Sequence, residues 1–204
     1  ITIDSSMNNT ITDNICSNNW VAGIALHSSS ANSTGNRIIG NICTNNGIDT
    51  FYGGVLVQSS PSNPSTGNTI SHNFCDGNYY GIYLLNSPNN NISSNTVINN
   101  IGSGIIIESS WGNIASSNTI DNNRESGVYL KGSDKCVIRG NTVPSNYDGI
   151  YLESSDDNSL FRNNVPGNDY GIIMYGSAGN SMDENNCSAG GLGIYIMSNC
   201  NNVE

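Results

Sequence analysis

From Gly81 onward the chain returns to a Gly-Ile or Gly-Val pair at Gly81, Gly104, Gly127, Gly149, Gly171 and Gly193, in steps of 23, 23, 22, 22 and 22 residues. Similar pairs stand earlier, at Gly23 and Gly54, with wider spacing. A fixed period in this range marks a solenoid, because one such unit cannot bury its apolar face until another stacks on it. With h for an apolar residue, each unit reads G-h-x-h-x-x-S, then N-x-h-x-x-N-x-h. Apolar residues two apart indicate strands, and no three-and-four spacing lasts long enough for a helix. Three short strands per unit, stacked turn on turn, predict an all-β right-handed parallel β-helix of about eight coils. Residues 1–204 read as one such domain, and the lack of an initiator Met predicts a fragment of a longer chain.

The expected core is four inward columns. The first strand supplies Ile24, Val55, Ile82, Ile105, Val128, Ile150, Ile172 and Ile194, and two residues later Leu26, Val57, Leu84, Ile107, Leu130, Leu152, Met174 and Ile196. The second supplies Ile11, Ile38, Ile70, Ile92, Ile114, Ile138, Leu160 and Met182. The third supplies Cys16, Cys43, Cys75, Val97, Ile120, Val143, Val165 and Cys187. Asparagines form two further columns, running from Asn14 to Asn185 and from Asn19 to Asn168. Asn tolerates the left-handed backbone of a sharp corner, and its amide can bond along a stack at the ~4.8 Å strand spacing. A serine column at Ser29, Ser60, Ser87, Ser110, Ser133, Ser155 and Ser177 reads as local turn bonding. In-register stacking holds cysteine Cβ atoms ~4.8 Å apart against the ~3.8 Å of a disulfide, so reduced thiols are expected.

Composition narrows the function. Lys and Arg number only six against 16 Asp and Glu, for a net charge of −10, which disfavours a nucleic-acid partner. No apolar run approaches the ~18 residues of a membrane span. All ten tyrosines lie between two positions before an anchor glycine and four after it. Tyr83, Tyr129, Tyr151 and Tyr195 share the outward column two residues after glycine, and Tyr175 stands four after. Such a strip offers flat apolar area with polar edges, which suits either sugar rings or a protein interface. Beside it, Glu108, Lys131 and Glu153 occupy one outward column on consecutive coils, with Asp148 close by in sequence. Two carboxylates two coils apart, roughly 9.6 Å on strand spacing, approach the upper end of the inverting glycosidase range. A lysine between them can act as a base or simply neutralise both, as an ion ladder. Insertions at 27–36, 58–68 and 46–54 predict a binding wall near His27, Asp49, Tyr52 and Gln58. Asp156 and Asp157 at a corner are the one place considered for calcium, and no cofactor is expected.

Units such as "GIYLLNSPNNNISSNTVINN" and "GIYLESSDDNSLFRNNVPGN" resemble the NosD-like β-helix repeat, within the wider group of domains in carbohydrate-binding proteins and sugar hydrolases. The resemblance covers nearly the whole chain. It implies an extracellular, cell-surface or periplasmic setting, and many archaeal surface proteins look like this. It also implies a polysaccharide partner lying over the first-strand face, where Tyr83, Tyr129, Tyr151, Tyr175 and Tyr195 form the platform. Glu108, Lys131 and Glu153 are then the candidate catalytic group of a lyase or glycoside hydrolase. The alternative is an assembly module of a surface protein that docks a neighbouring chain, or a second copy, on the same tyrosines. The family's link to copper finds no ligand set, since His27 and His72 fall on different strand types and Met174 and Met182 point inward. The Gly-His-Gly and Arg-x-Lys motifs of polygalacturonase-like enzymes and the Asp-Pro-His-Asp signature of alginate epimerases are missing.

Overall fold

The computed structural model describes residues 1–188 and 190–203. Its strands form three parallel sheets. The first has nine strands, Thr2–Asp4, Ile24–Ser28, Gly53–Ser59, Tyr80–Leu85, Ile105–Glu108, Ser126–Lys131, Asp148–Glu153, Tyr170–Tyr175 and Leu192–Ile196, each paired with its counterpart one coil away. The second has eight short strands, from Thr10–Thr12 to Ser181–Asp183. The third has five, from Ile15–Ser17 to Thr119–Asp121. Beyond it the ladder thins to single bridges at Thr142, Asn164 and Asn186, where Pro144 and Pro166 lack the N–H that a strand needs. The expected β-helix of about eight coils is therefore what forms. No helix long and apolar enough to cross a membrane occurs among the described residues.

The inward columns make one continuous core. One position differs from expectation: Ile92 pairs with Ala115, and Ala115 with Ile138, so Ala115 points inward and Ile114 is half-buried. Counting from Asn113, as from Asn90 one coil earlier, puts the inward residue two places on, and that register wins over side-chain size. Ile194 and Ile196 are 49% and 46% exposed, because no strand of the described residues lies beyond theirs. The six cysteines are free thiols.

Asparagine does more than turn corners, and it forms three ladders. Asn118 shows the unit. Its backbone N–H and its Nδ2 donate to Asn141 Oδ1 at 3.0 Å each, and Nδ2 also reaches Ile92 O at 3.0 Å. Its own Oδ1 accepts the backbone N–H and Nδ2 of Asn95, at 2.9 and 3.0 Å. Each buried amide thus ties together the coils before and after it. The left-handed conformation, however, belongs to the residue before each ladder asparagine: Ser94, Ser117, Gly140 and Arg162 have φ of 56°, 56°, 57° and 55°. In doublets such as Asn99-Asn100 and Asn122-Asn123 the first residue turns the chain and the second joins the ladder. That correction has a plain cause: the turn just before the ladder residue aims its side chain inward, along the stack.

The third ladder runs through Asn36, Asn68, Asn90 and Asn113, the first asparagine of each N-x-h-x-x-N-x-h unit, beyond the two columns expected. It is interrupted by Cys136, whose N–H still donates to Asn158 Oδ1 at 2.7 Å. The serine column also shifts where the insertions enter. Ser33 and Ser65, three residues before a ladder asparagine, are buried, whereas Ser29 is exposed and Ser60 half-exposed. The anchor glycines are required by packing: a Cβ on Gly81 would lie 2.1 Å from Val97 Cγ1, and one on Gly127 2.2 Å from Val143 Cγ1.

Asn118→Ala leaves buried donors and acceptors on two coils unpaired, and urea unfolding should show a loss of at least about 2 kcal/mol. Cys136→Asn restores the broken ladder and should raise stability by about 1 kcal/mol in the same assay; a loss there would mean that the ladder does not carry the stacking.

Candidate functional site

The outward face of the first sheet carries the tyrosines, as the sequence pattern predicts. Parallel pairing aligns Tyr83, Ile106, Tyr129, Tyr151, Ile173 and Tyr195 across successive coils. The rings do not form one strip. Phe51, Tyr79, Tyr80 and Tyr83 make a chain of edge-on contacts, with centroids 4.7, 4.7 and 5.6 Å apart. Buried Ile106 separates this group from Tyr129 and Tyr151, which stack face to face at 5.0 Å and 4°. Buried Ile173 separates those from Tyr195, whose ring lies 6.1 Å from Tyr170. Tyr175 is exposed and lies on none of these stacks. The rings in contact thus divide into three clusters, the third of which also takes in Tyr147, 6.1 Å from Tyr170.

The charged column is aligned as expected, with Glu108 paired to Lys131 and Lys131 to Glu153 in register. Its contacts are uneven. Lys131 Nζ lies 3.0 Å from Glu108 Oε1, while Tyr83 Oη donates to Glu108 Oε2 at 2.7 Å. Glu153 forms no ion pair among the described residues and instead accepts from the Tyr129 hydroxyl. Burial pushes the Glu108 carboxyl up, but the Tyr83 hydroxyl and the Lys131 ammonium together outweigh it and hold the group below its usual range. Burial first, and then the bonded carboxylates, raise the phenols of Tyr83 and Tyr129. Burial and the charge of Glu125 push Tyr80 up to about 12. At neutral pH these tyrosines are donors.

Next to the stacked pair lies a cleft of about 310 Å³, lined by Ser103, Arg124, Glu125, Ser126, Tyr129, Tyr147, Asp148 and Tyr151. The set lies one to three residues before an anchor glycine or two after it, at the entry to the first-sheet strands and on them. Asp148 is its unusual member. Ser126 Oγ donates to Asp148 Oδ2 at 3.3 Å, and Oδ1 is buried without any partner. Ser103 Oγ donates to Glu125 Oε2 at 3.2 Å, and Arg124 makes no ion pair among the described residues. The cleft therefore combines a flat aromatic wall, a guanidinium without an ion pair and the carboxyls of Glu125 and Asp148. Arg124 and Glu125 were missed in the sequence. Their signal was positional, since they lie three and two residues before Gly127 in the segment where other coils carry tyrosine.

The N-terminal insertions do not build one wall. His27 and Gln58 share a separate cleft with Asp4 and Ser29, whereas Asp49 lines another with Trp20 and Ile48. Asp156 Oδ1 accepts the Ala178 N–H at 2.7 Å, a corner bond. Among the described residues no three His, Cys, Asp or Glu side chains are grouped to hold a metal ion.

Burial, partly offset by the Ser126 bond and reinforced by Asp169 and Glu125, raises the Asp148 carboxyl above its ordinary 3.8. The folded state thus holds this proton more tightly than the unfolded chain. The cost of ionising the group in place is absent below the unfolded value, grows as pH rises to the folded one, and is constant above it. Asp148→Asn should therefore raise Tm near about pH 7 and leave it unchanged near about pH 3. Paired thermal melts check this, and an unchanged or lower Tm at the higher pH would contradict it.

Comparison with known proteins agrees with this geometry at the level of fold. No curated protein matches the chain. The A-module of Azotobacter vinelandii mannuronan C-5 epimerase AlgE4 superposes with a TM-score of 0.79 at 17% identity, covering 97% of this chain and 58% of that one. The Dettilon tailspike protein gives 0.75 at 23%, covering 94% and 42%. The periplasmic alginate epimerase AlgG gives 0.64 at 22%, covering 90% and 47%. The chain thus spans about half the length of each. A family model described as periplasmic copper-binding protein (NosD) matches residues 43–188. His27 lies in a first-sheet strand and His72 at an exposed corner, and among the described residues no three His, Cys, Asp or Glu side chains are grouped as a copper site would need. With well over half of its length matched, the chain belongs to the NosD family.

Proposed function

We propose that this protein is a carbohydrate-binding β-helix module of an extracellular or periplasmic protein, and that it holds a polysaccharide strand across the outward face of the first sheet. The observation that carries the reading is the face-to-face Tyr129–Tyr151 pair in one cleft with Arg124, Glu125 and Asp148. A sugar ring presents C–H faces to aromatic surface and hydroxyls at its edge. Here those hydroxyls meet Asp148, Glu125 and Arg124 in one cleft. Tyr83 and Tyr195 extend the platform along the coils on either side, and Tyr175 adds exposed area beside it. Support comes also from two similar structures named as epimerases of mannuronan and alginate, and from the periplasmic setting in the family description and in the AlgG name. The Asp-Pro-His-Asp signature is absent, which favours binding over epimerisation.

In a cleaving version of this face, the candidate group is the aligned column Glu108, Lys131 and Glu153, in which Lys131 bridges Glu108, while Glu153 accepts from Tyr129. A second reading, a docking face for a neighbouring chain or a second copy, is favoured by the exposed rings of Tyr147 and Tyr175 on the same side of the solenoid.

Tyr151→Ala should weaken retention on the bound glycan roughly tenfold, the worth of one aromatic contact, with the fold intact by circular dichroism. Reducing-end and unsaturated-product assays on the same glycans test cleavage, which Glu153→Gln should abolish while retention persists. A protein retained by no acidic or neutral polysaccharide, with a solution mass above 21.6 kDa that falls on Tyr175→Ser, would replace the sugar reading with the docking one.

A further inference from the structure

Trp20 and Trp111 are the exposed tryptophans, and Trp111 lies off the tyrosine face. Trp111, 54% exposed, stands at the corner that follows the first-sheet strand of its coil. Backbone bonds from Asn89 N–H to Trp111 O (3.0 Å) and from Gly112 N–H to Asp134 O (2.9 Å) stack Pro88, Trp111 and Asp134 in one row on three consecutive coils. The indole is a ridge between two shallow clefts. On one side lie Pro61, Pro64, Asn86, Pro88 and Ser109, in about 270 Å³. On the other lie Asp134 and Lys135, in about 350 Å³.

Two features set this corner apart from stray surface apolarity. The proline side is rigid: two of its three prolines come from the 58–68 insertion, and fixed φ leaves little entropy to lose when a ligand seats there. On the other side Lys135 forms no ion pair among the described residues, although Asp134 is its chain neighbour. Asp134 Oδ1 already accepts the Asp156 N–H at 2.8 Å, which leaves Oδ2 as an acceptor. The indole is thus bordered on one edge by a free ammonium donor and a carboxylate acceptor in adjacent positions. That is the complement of two neighbouring hydroxyls, each of which can give and take one hydrogen bond.

We propose that the Trp111 corner is a second sugar site, which stacks a pyranose ring on the indole and binds two of its adjacent hydroxyls through Lys135 and Asp134. It deepens the proposed function and rests on it, because the ligand is the same class of polysaccharide reached from the neighbouring face of the solenoid. A polysaccharide long enough to reach both places gains the advantage of two linked sites, whereas an oligomer too short to do so reads this corner alone.

Trp20→Phe leaves Trp111 as the single tryptophan and makes its emission a direct report on this corner. The variant is titrated with oligomers of alginate, galacturonate and cellulose. The expected result is a saturable change in emission with at least one of them, weakened tenfold or more by Lys135→Met and unaffected by Tyr151→Ala. Retention of a glycan on the Tyr151 face with Trp111 emission silent overturns this inference and leaves the binding reading standing. A Trp111 response with retention insensitive to Tyr151→Ala does the reverse. Silence in both overturns both, and emission that changes with protein concentration alone assigns the corner to a second copy of the chain and overturns the sugar site.

Discussion

The bond on which everything else rests is the one that a buried asparagine amide makes along the solenoid axis. In a parallel β-helix the strands are short, here three residues in the second and third sheets. So few ladder bonds would leave the corners between them unpaired and buried, at a cost of about 1–3 kcal/mol for each orphaned group. The asparagine at each corner supplies a donor and an acceptor that take up those backbone groups. Because one Oδ1 receives both the backbone N–H and the side-chain Nδ2 of the preceding coil, the ladder also locks register. A slip of one residue would break every amide pair at once, and that cooperativity keeps so polar a chain ordered.

A rigid stack of this kind determines what its outer face can do. Side chains on neighbouring coils stand one strand spacing apart, so a column of like residues becomes a surface of fixed pitch. Tyr129 and Tyr151 stack in parallel for that reason, as do the asparagines inside. Charges obey the same geometry: Lys131 has Glu108 and Glu153 as equal neighbours in register, yet bridges only Glu108. The difference lies in the phenols, since Tyr83 and Lys131 both serve Glu108 while Tyr129 alone serves Glu153. Arg124, without an ion pair among the described residues, is left with unused bonding capacity in the cleft it shares with Asp148. Such capacity, more than the aromatic area, separates a binding surface from a merely well-packed one.

Much of the fold was legible from spacing. The period of the Gly-Ile pairs and the two-residue apolar rhythm led directly to three sheets and to most of the core. Where the reading failed, it had followed residue type in place of register. Ile114 looked like the core residue of its coil, yet Ala115 holds the position because the ladder counts from Asn113. Ser29 and Ser60 matched the local motif, but the insertions that follow them carry the true column to Ser33 and Ser65. The charged column and the placement of every tyrosine on one face were also legible. Asp148 could be placed on the first-sheet face, at the far end of its strand from Glu153, but not its buried and unpartnered oxygen, which depends on how its neighbours pack over it.

By itself, the sequence determined the architecture, because a solenoid is a one-dimensional crystal in which a periodic chain can satisfy its apolar and polar groups in a single way. It determined which residue types point outward on the first sheet for the same reason. Only the tertiary structure decided which outward groups meet. Whether a carboxylate accepts from a lysine, a phenol or nothing depends on side-chain reach across coils and on the burial that neighbours impose. Neither is periodic, so neither is written in the repeat.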